Sequence, residues 1–294
     1  MLPLRTRAAR AGAGSCALTV ATDFDVFDCH HHVGDAFSAL GGDVDGAGLS
    51  ASEYAARELA SRLEIMDAGG VRQALVIPGH GYLRIHGHAD TRAQNDRIAA
   101  YRDANPARFP AALGIVEPRD GPASFAELER MRRELGLAGV SLHTRFQGVS
   151  LDSRWIQRYV AKMGELGLVP VIHAMDETPE EALWKLAGLA RSFPDLPMLV
   201  LDPFSSFEAT RQCFSVAELA PRLLFDTSLS YNFDFIEDFA RRFGAERVVF
   251  GTDLYSWPVG RRISHLLPQI LASGLSREEQ AQILGANARR LFGL

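Results

Sequence analysis

Histidine or aspartate residues stand at the ends of six short apolar runs in this sequence. The first run continues as DCHHHV, so that His30 and His32 lie two residues apart. Residues with this spacing on an extended strand project from the same face. Two imidazoles on one face are ligands that suit Zn²⁺ or another divalent cation. The other five runs end at His143, His173, Asp202, Asp226 and Asp253.

Two of these residues complete a predicted ligand set. His173 and Asp253 would add a nitrogen and an oxygen to His30 and His32, which gives the N₃O donor set of a catalytic metal site. A bound cation lowers the pKa of its water and polarises a carbonyl group, and Asp253 could hold or accept the proton. His173 and His143 are further catalytic candidates, and His143 depends on whether its side chain faces the site.

Other polar residues of the same runs are predicted to serve the fold. His31 should point away from its two neighbours and pack against a helix, because successive strand residues face opposite sides. Asp28, Cys29 and Asp226 are interpreted as structural residues.

Eight apolar runs alternate with segments that have the 3.6-residue period of helices. Most runs are continuously apolar, which is typical of parallel strands buried on both faces. The alternation predicts a single (β/α)₈ barrel over residues 23–294, with its active site at the carboxyl ends of the strands. A doubly wound sheet is the alternative, but no strand is followed by G-x-G-x-x-G. The predicted strands are 24–30, 73–77, 110–116, 139–143, 169–173, 197–201, 223–228 and 247–251, and the predicted helices include 52–68, 179–191 and 276–292.

The composition is that of a globular protein. Apolar residues make up 47% and charged residues 23% of the 294 residues, and the net charge is −5. An acidic chain lacks the basic surface that nucleic acid requires, and no apolar run is long enough to span a bilayer. Three cysteines without a pairing or metal-binding pattern indicate a cytoplasmic protein. Residues 1–22, which contain no acid in their first twenty, are predicted to be a disordered leader.

The ordered set of motifs resembles the amidohydrolase superfamily, in particular its amidohydrolase-related branch. That branch holds metal-dependent hydrolases, lactonases and non-oxidative decarboxylases on (β/α)₈ barrels. The resemblance extends over residues 24–294 and rests on FDCHHHVGD, NDRIAAYRDANPARFPAALGIVEP, VSLHTRFQG, VPVIHA, RVVFGTDLYSWP and GANARRLFGL. It implies that His30, His32 and His173 bind metal and that Asp253 binds metal, moves the proton, or does both.

Two departures from the family pattern bear on the chemistry. The family often has a histidine on strand 6, where this chain has Pro203 beside Asp202, and a carboxylate cannot stabilise an oxyanion as a protonated imidazole does. Some members carry a carboxylated lysine on strand 4 that bridges two metals, but this strand reads GVSLH and both lysines fall in predicted helices. The resemblance therefore implies one divalent ion, with Zn²⁺ ahead of Mn²⁺ or Fe²⁺.

Loop residues beyond the strands are predicted to bind the substrate. The segment after strand 2 offers His80, Tyr82 and Arg84, and Arg145 follows strand 4 by two residues. Arginine binds carboxylates through a planar fork of donors, which favours a small acidic substrate. Asp202 is a further candidate for this role. Apolar residues that could line a pocket or the surface of a homodimer are Phe233, Phe235 and Trp257.

The leading interpretation is a metal-dependent hydrolase of a small amide, lactone or ester. Activated water would attack the carbonyl group, with Asp253 as the proton shuttle. The first alternative is a non-oxidative decarboxylase of a small carboxylated substrate, in which Asp253 or a histidine protonates the carbanion. The compact length of the chain favours hydrolysis. A metal-independent lactonase and a ligand-binding pseudoenzyme without turnover are further alternatives, the latter because Pro203 replaces the strand 6 histidine.

Overall fold

Eight parallel strands form one sheet in which each strand pairs with the next along the chain. The computed structural model describes residues 20–34, 48–79, 86–175, 178–256 and 264–294. The last strand returns to the first, because the N–H of Cys29 donates to the carbonyl of Phe250 and that of Asp253 to the carbonyl of His30, each over 2.9 Å. The sheet is therefore a barrel, and the predicted (β/α)₈ architecture is confirmed.

Every predicted strand overlaps one strand of the barrel. The strands are β1 Phe27–Val33, β2 Gln73–Pro78, β3 Ala111–Ile115, β4 Gly139–Leu142, β5 Val169–His173, β6 Met198–Leu201, β7 Leu223–Asp226 and β8 Val248–Val249. The helices within the described ranges are α1 Ala51–Ala68, α2 His88–Ala104, α3 Ala123–Arg133, α4 Thr144–Gln147, α5 Arg154–Leu166, α6 Leu183–Arg191, α7 Phe207–Leu219, α8 Asp234–Phe243, α9 Leu266–Ala272, α10 Arg277–Ala281 and α11 Asn287–Phe292.

Two predicted helices are interrupted. The segment 179–191 begins with a 3₁₀ turn at Pro179–Glu181 and becomes α-helical only at α6. The segment 276–292 consists of α10 and α11, joined by a π-helical turn that contains Gly285. A Cβ atom at Gly285 would lie 2.8 Å from the carbonyl oxygen of Asp25. This close approach lets the last helices pack against the start of β1.

The apolar core has one layer inside the barrel and one between the strands and the helices. Phe27 and Cys29 of β1 belong to the inner layer. The pairing of β1 with β2 then shifts register, so that the two histidines on either side of His31 face the barrel axis. His31 lies against Phe109 of the outer layer, with ring centroids 6.5 Å apart. The orientation predicted for His31 is the one found.

Several expectations concern the surface and the chain start. Residues 1–19 of the predicted leader lie outside the described residues. Within the ranges given above, no helix is both long and apolar enough to cross a lipid bilayer. Phe233 was expected to be exposed but is buried in the outer core layer, where it packs ahead of α8. Phe235 is half exposed and contacts Phe207, and Trp257 is not among the described residues.

Candidate metal centre and active site

Three histidines and one aspartate meet at the carboxyl ends of β1, β5 and β8. The Nε2 atoms of His30 and His32 are 3.0 Å apart. Oδ1 of Asp253 lies 3.2 Å from Nε2 of His30 and 3.5 Å from Nε2 of His32. Ligand nitrogens of His30, His32 and His173 all lie within 4.8 Å of one another. The structure thus brings together the four residues that were predicted to bind metal.

Each of the three histidines is held through its Nδ1 atom. This atom lies 2.7 Å from Oδ2 of Asp226 in His30, and 3.2 Å from the carbonyl oxygen of Pro78 in His32. In His173 it lies 3.1 Å from the carbonyl oxygen at the end of β4. Because a carbonyl or carboxylate oxygen accepts, each Nδ1 donates a ring proton to its partner, and Nε2 is left as the atom that can bind a cation. Metal-binding histidines in proteins are oriented in this way.

The distances between the donor atoms fit a single divalent cation. Ligands at about 2.0–2.2 Å from a tetrahedral ion lie roughly 3.3–3.6 Å apart, and ligands at right angles lie about 3.0 Å apart. The separations among His30, His32 and Asp253 are 3.0, 3.2 and 3.5 Å. Two imidazole lone pairs at such a distance repel each other unless a cation or a proton lies between them. Three imidazoles and one carboxylate are a donor set for Zn²⁺, Mn²⁺ or Fe²⁺.

Three carboxylates determine the charge at His30. Burial lowers the pKa of this imidazole, but the negative charges of Asp253, Asp202 and Asp226 outweigh the burial and raise the pKa to about 10. The charges that retain a proton on the ring also attract a metal cation, which competes with the proton for the imidazole. The surroundings of His30 therefore favour a bound positive charge.

Two of these aspartates have a left-handed backbone conformation. The angle φ is 54° at Asp253 and 62° at Asp202. For a residue other than glycine this conformation costs about 1–2 kcal/mol, and it persists only where other contacts impose it. The N–H of Asp253 donates to the carbonyl of His30 over 2.9 Å, and the N–H of Asp202 donates to Oδ1 of Asp226 over 2.9 Å. Backbone strain of this kind is concentrated at functional sites.

Asp226 and Ser228 make contacts with the site that sequence reasoning did not foresee. Asp226 anchors His30, and the hydroxyl of Ser228 lies 2.9 Å from Nδ1 of the same ring and 2.8 Å from Oδ1 of Asp202. The only feature of the sequence that pointed to this role of Asp226 is its position at the end of β7, where residues face the candidate site. Asp202, which was predicted to bind substrate, is only 3% exposed, and burial raises its pKa to about 6 against the effect of the His30 charge.

His143 lies beside His173, the candidate metal ligand of β5. Its ring stacks on that of His173 with centroids 4.0 Å apart and planes 2° apart. Its Nδ1 atom lies 2.6 Å from Oε1 of Glu181. The same carboxylate accepts the backbone N–H of Arg145 over 3.2 Å and lies 3.5 Å from Nε of that side chain. Glu181 therefore holds both residues that extend from the end of β4.

Sequence reasoning missed Glu181 because it placed this residue inside a helix. In the structure Glu181 ends the 3₁₀ turn after β5 and is fully buried. Burial raises its pKa to about 8, although the backbone N–H and the charge of Arg145 act in the opposite direction. No local pattern identifies such a residue, since its role depends on the approach of two loops.

The predicted substrate-binding residues fall into two groups. His80, Tyr82 and Arg84 lie outside the described residues. Arg145 lies at the barrel mouth with its side chain 25% exposed, and its positive charge acts against the burial that raises the pKa of Asp202 on β6. The guanidinium is thus close enough to interact electrostatically with both sides of the candidate site.

Two curated relatives that match this sequence are decarboxylases. The chain is 24% identical over 237 residues to the 2-amino-3-carboxymuconate-6-semialdehyde decarboxylase of Dictyostelium discoideum, and the match covers 68% of this chain and 65% of that protein. It is 30% identical over 135 residues to the decarboxylase orsB of Emericella nidulans, covering 45% of this chain and 38% of that protein. Both matches span less than two thirds of the relative's length.

A solved structure and a family model cover nearly the whole chain. A 5-carboxyvanillate decarboxylase variant from Novosphingobium aromaticivorans contains manganese and 3-methoxy-4-hydroxy-5-nitrobenzoic acid. It shares the fold, with a TM-score of 0.71 at 18% identity over 92% of this chain and 98% of that chain. The family model described as amidohydrolase matches residues 27–294. This range contains every predicted metal ligand, and the chain belongs to the amidohydrolase family.

Proposed function

We propose that this chain is a metal-dependent, non-oxidative decarboxylase of a small carboxylated substrate. Both curated relatives named above are decarboxylases, and the similar solved structure contains an aromatic carboxylic acid. The hydrolase interpretation uses the same predicted site and was preferred only for the compact length of the chain, so it has less support than this alternative.

The observation that carries the proposal is the position of Arg145, which follows β4 at the same end of the barrel as the cluster of His30, His32, His173 and Asp253 and contacts Glu181. The guanidinium lies beside Glu181, the residue that also contacts Nδ1 of His143, and its positive charge acts on Asp202, which follows β6. A guanidinium offers parallel N–H donors to a carboxylate. A substrate carboxylate bound there would bring the adjoining part of the substrate towards the metal ligands.

The reaction requires an electron sink and a proton. The bond between the substrate carbon and its carboxylate breaks, CO₂ leaves, and the electron pair remains on the carbon until a proton is added. A divalent cation held by His30, His32, His173 and Asp253 would withdraw electron density from a substrate oxygen and so stabilise this charge. Asp253 is the first candidate to deliver the proton, from its carboxylic acid form, after it has taken that proton from water or from an acidic group of the substrate.

His143 is the second candidate for proton transfer. Its Nδ1 atom is engaged by Glu181 over 2.6 Å, which assigns proton exchange with a substrate to Nε2. The stacked ring of His173 limits rotation of the imidazole. His143 and His173 are 2% and 1% exposed, and such burial limits the access of water that would protonate a carbanion without control.

Release of labelled CO₂ tests the proposal. Protein loaded with Mn²⁺ or Zn²⁺ is incubated with hydroxybenzoates and unsaturated acids that carry ¹³C in the carboxylate, and with lactones and amides of similar size. We expect ¹³CO₂ from at least one acid, loss of this activity in Asp253→Asn, and retention in the exposed control Asp195→Asn.

Hydrolysis of a lactone or amide without CO₂ release would contradict the proposal and restore the hydrolase interpretation. Elemental analysis establishes the metal independently of any substrate. We expect about one transition metal ion per chain, which should be lost in His30→Ala/His32→Ala. Zn²⁺ is the ion predicted from the sequence, whereas the similar structure contains manganese, so reconstitution with each ion should decide which one supports activity.

A further inference from the structure

A buried ion pair lies on α1, behind the metal ligands of β1. Arg62 is 3% exposed and Glu58, one helical turn earlier, is 5% exposed. Nε of Arg62 donates to Oε1 of Glu58 over 2.8 Å, and the hydroxyl of Tyr101 donates to the other carboxylate oxygen over 3.0 Å. A buried ion pair adds little stability compared with apolar side chains of the same volume. The contacts of this pair therefore point to another role.

The pair reaches two of the three chain segments that carry the proposed metal ligands. Nη2 of Arg62 donates to the backbone carbonyl of His32 over 2.8 Å and to the hydroxyl of Ser256 over 2.9 Å. The same hydroxyl donates to Oε1 of Glu58 over 2.8 Å. Ser256 follows Asp253 in the segment after β8. One guanidinium thus connects the backbone of a ligand on β1 to the segment that presents the ligand after β8.

Direct hydrogen bonds also join the end of β1 to the segment after β8, close to Arg62. The N–H of His32 donates to the carbonyl of Leu254 over 2.7 Å, and the N–H of Ser256 donates to the carbonyl of Gly34 over 3.1 Å. The N–H of Gly34 returns to the hydroxyl of Ser256 over 2.8 Å. Arg62 on α1 donates to the carbonyl of His32 and to the hydroxyl of Ser256, two residues that also make these backbone hydrogen bonds. Its side chain therefore joins the two segments where they pair.

We propose that Arg62, held by Glu58, is a positioning residue for the metal centre. It sets the separation of the two segments and hence the geometry between His32 and Asp253. A planar guanidinium suits this task because it binds two acceptors in a fixed geometry, which an ammonium group does not. The inference rests on the metal site of the proposed function but is independent of the reaction.

Metal affinity tests this role without a substrate. Co²⁺ is titrated into metal-free protein and followed by visible absorption in the wild type and in Glu58→Met/Arg62→Met. The double variant keeps the volume and leaves no buried charge without a partner. We expect about 10- to 100-fold weaker binding and an altered absorption band, with cooperative unfolding retained. Arg62→Lys, which keeps the charge but loses the planar fork, should bind with intermediate affinity.

The matched control is Glu127→Met/Arg130→Met. These residues also form an ion pair on one helix, with Glu127 buried, Arg130 10% exposed and Nη2 of Arg130 2.7 Å from Oε1 of Glu127, but Arg130 contacts the carbonyl of Arg92 in α2. The control should bind Co²⁺ like the wild type. Unchanged affinity in Glu58→Met/Arg62→Met, or an equal loss in the control, would overturn the positioning role alone. Absence of Co²⁺ binding by the wild type would overturn both this role and the proposed metal-dependent function.

Discussion

Nδ1 of His30 and Oδ2 of Asp226 are 2.7 Å apart, and both side chains are fully buried. The contact places the ring proton on Nδ1 and turns Nε2 towards Asp253, 3.2 Å away. Through it β7, which contributes none of the proposed ligands, takes part in building the metal centre. The orientation of one ligand is therefore set by a residue on a different strand.

Asp226→Asn should weaken metal binding by about 10- to 100-fold. Asparagine retains the shape of the side chain but removes the charge that makes the His30 imidazole a stronger ligand. The affinity is measured by Co²⁺ or Zn²⁺ titration, with Asp195→Asn as the exposed control. An unchanged affinity would mean that Ser228, 2.9 Å from the same ring nitrogen, is sufficient to orient His30.

Arg145→Gln should lower kcat/KM for a carboxylated substrate by about 10- to 100-fold, since a hydrogen bond to a charged group contributes about 1.5–3 kcal/mol. The loss should appear mainly as a higher KM, with the metal content unchanged. Steady-state kinetics and elemental analysis measure the two quantities, and Arg191→Gln on the exposed side of α6 is the control. A loss confined to kcat would assign Arg145 to the chemical step rather than to substrate binding.

Glu181→Gln should change how stability depends on pH. The pKa of Glu181 is about 8 in the folded protein against an ordinary value of 4.5, so folding favours its protonated form. Its stabilising contribution is fully present below about pH 4.5 and is lost as the pH rises through 8. Relative to the variant, the wild type should lose on the order of 3 kcal/mol of unfolding free energy between pH 5.5 and 8.5.

Urea denaturation of the metal-free proteins at the two pH values measures this difference. Glu180→Gln, one residue earlier, removes a carboxylate without touching the His143 contact and should follow the wild type. Identical pH profiles for the wild type and Glu181→Gln would show that Glu181 is not protonated in the folded protein at neutral pH.

Gly251→Ala should disturb the candidate metal centre by displacing the side chains of His30 and Asp226. A Cβ atom at this position would lie 2.6 Å from Oδ2 of Asp226 and 2.9 Å from Cβ of His30. We expect a loss of about 1–3 kcal/mol in stability together with weaker metal binding. Gly188→Ala in α6, where a Cβ atom meets nothing within 4 Å, should instead raise stability by up to about 1 kcal/mol. Thermal unfolding with and without metal compares the two variants.

The fold and the grouping of the candidate metal ligands were accessible from the sequence because strand ends are local features. Most strands are continuous apolar runs, and a barrel brings the carboxyl ends of all its strands to one face. A polar residue that ends such a run is thereby placed at the site whatever the details of the packing. His30, His32, His173 and Asp253 all belong to this class, and they meet in the structure.

The sequence did not identify residues whose role depends on contacts between different secondary-structure elements. Arg62 occupies a helical position with no unusual neighbours in sequence, and its contacts with His32 and Ser256 exist only after the barrel closes. Glu181 depends on a 3₁₀ turn that a helical pattern conceals. The register shift along β1 likewise results from pairing with β2 and not from the composition of the strand itself.

The pairing of the last strand with the first, which closes the barrel, affects how the protein would release a bound metal ion. A cation bound by residues of β1 and of the segment after β8 is a cross-link over the seam at which the barrel closes. Since β8 has only two residues in strand conformation, this seam should open at a lower free-energy cost than the whole molecule unfolds. Opening of this seam would separate the proposed ligands and release the metal, and in the metal-free protein the amide hydrogens of His32 and Asp253 should exchange with solvent before those of β4 to β6.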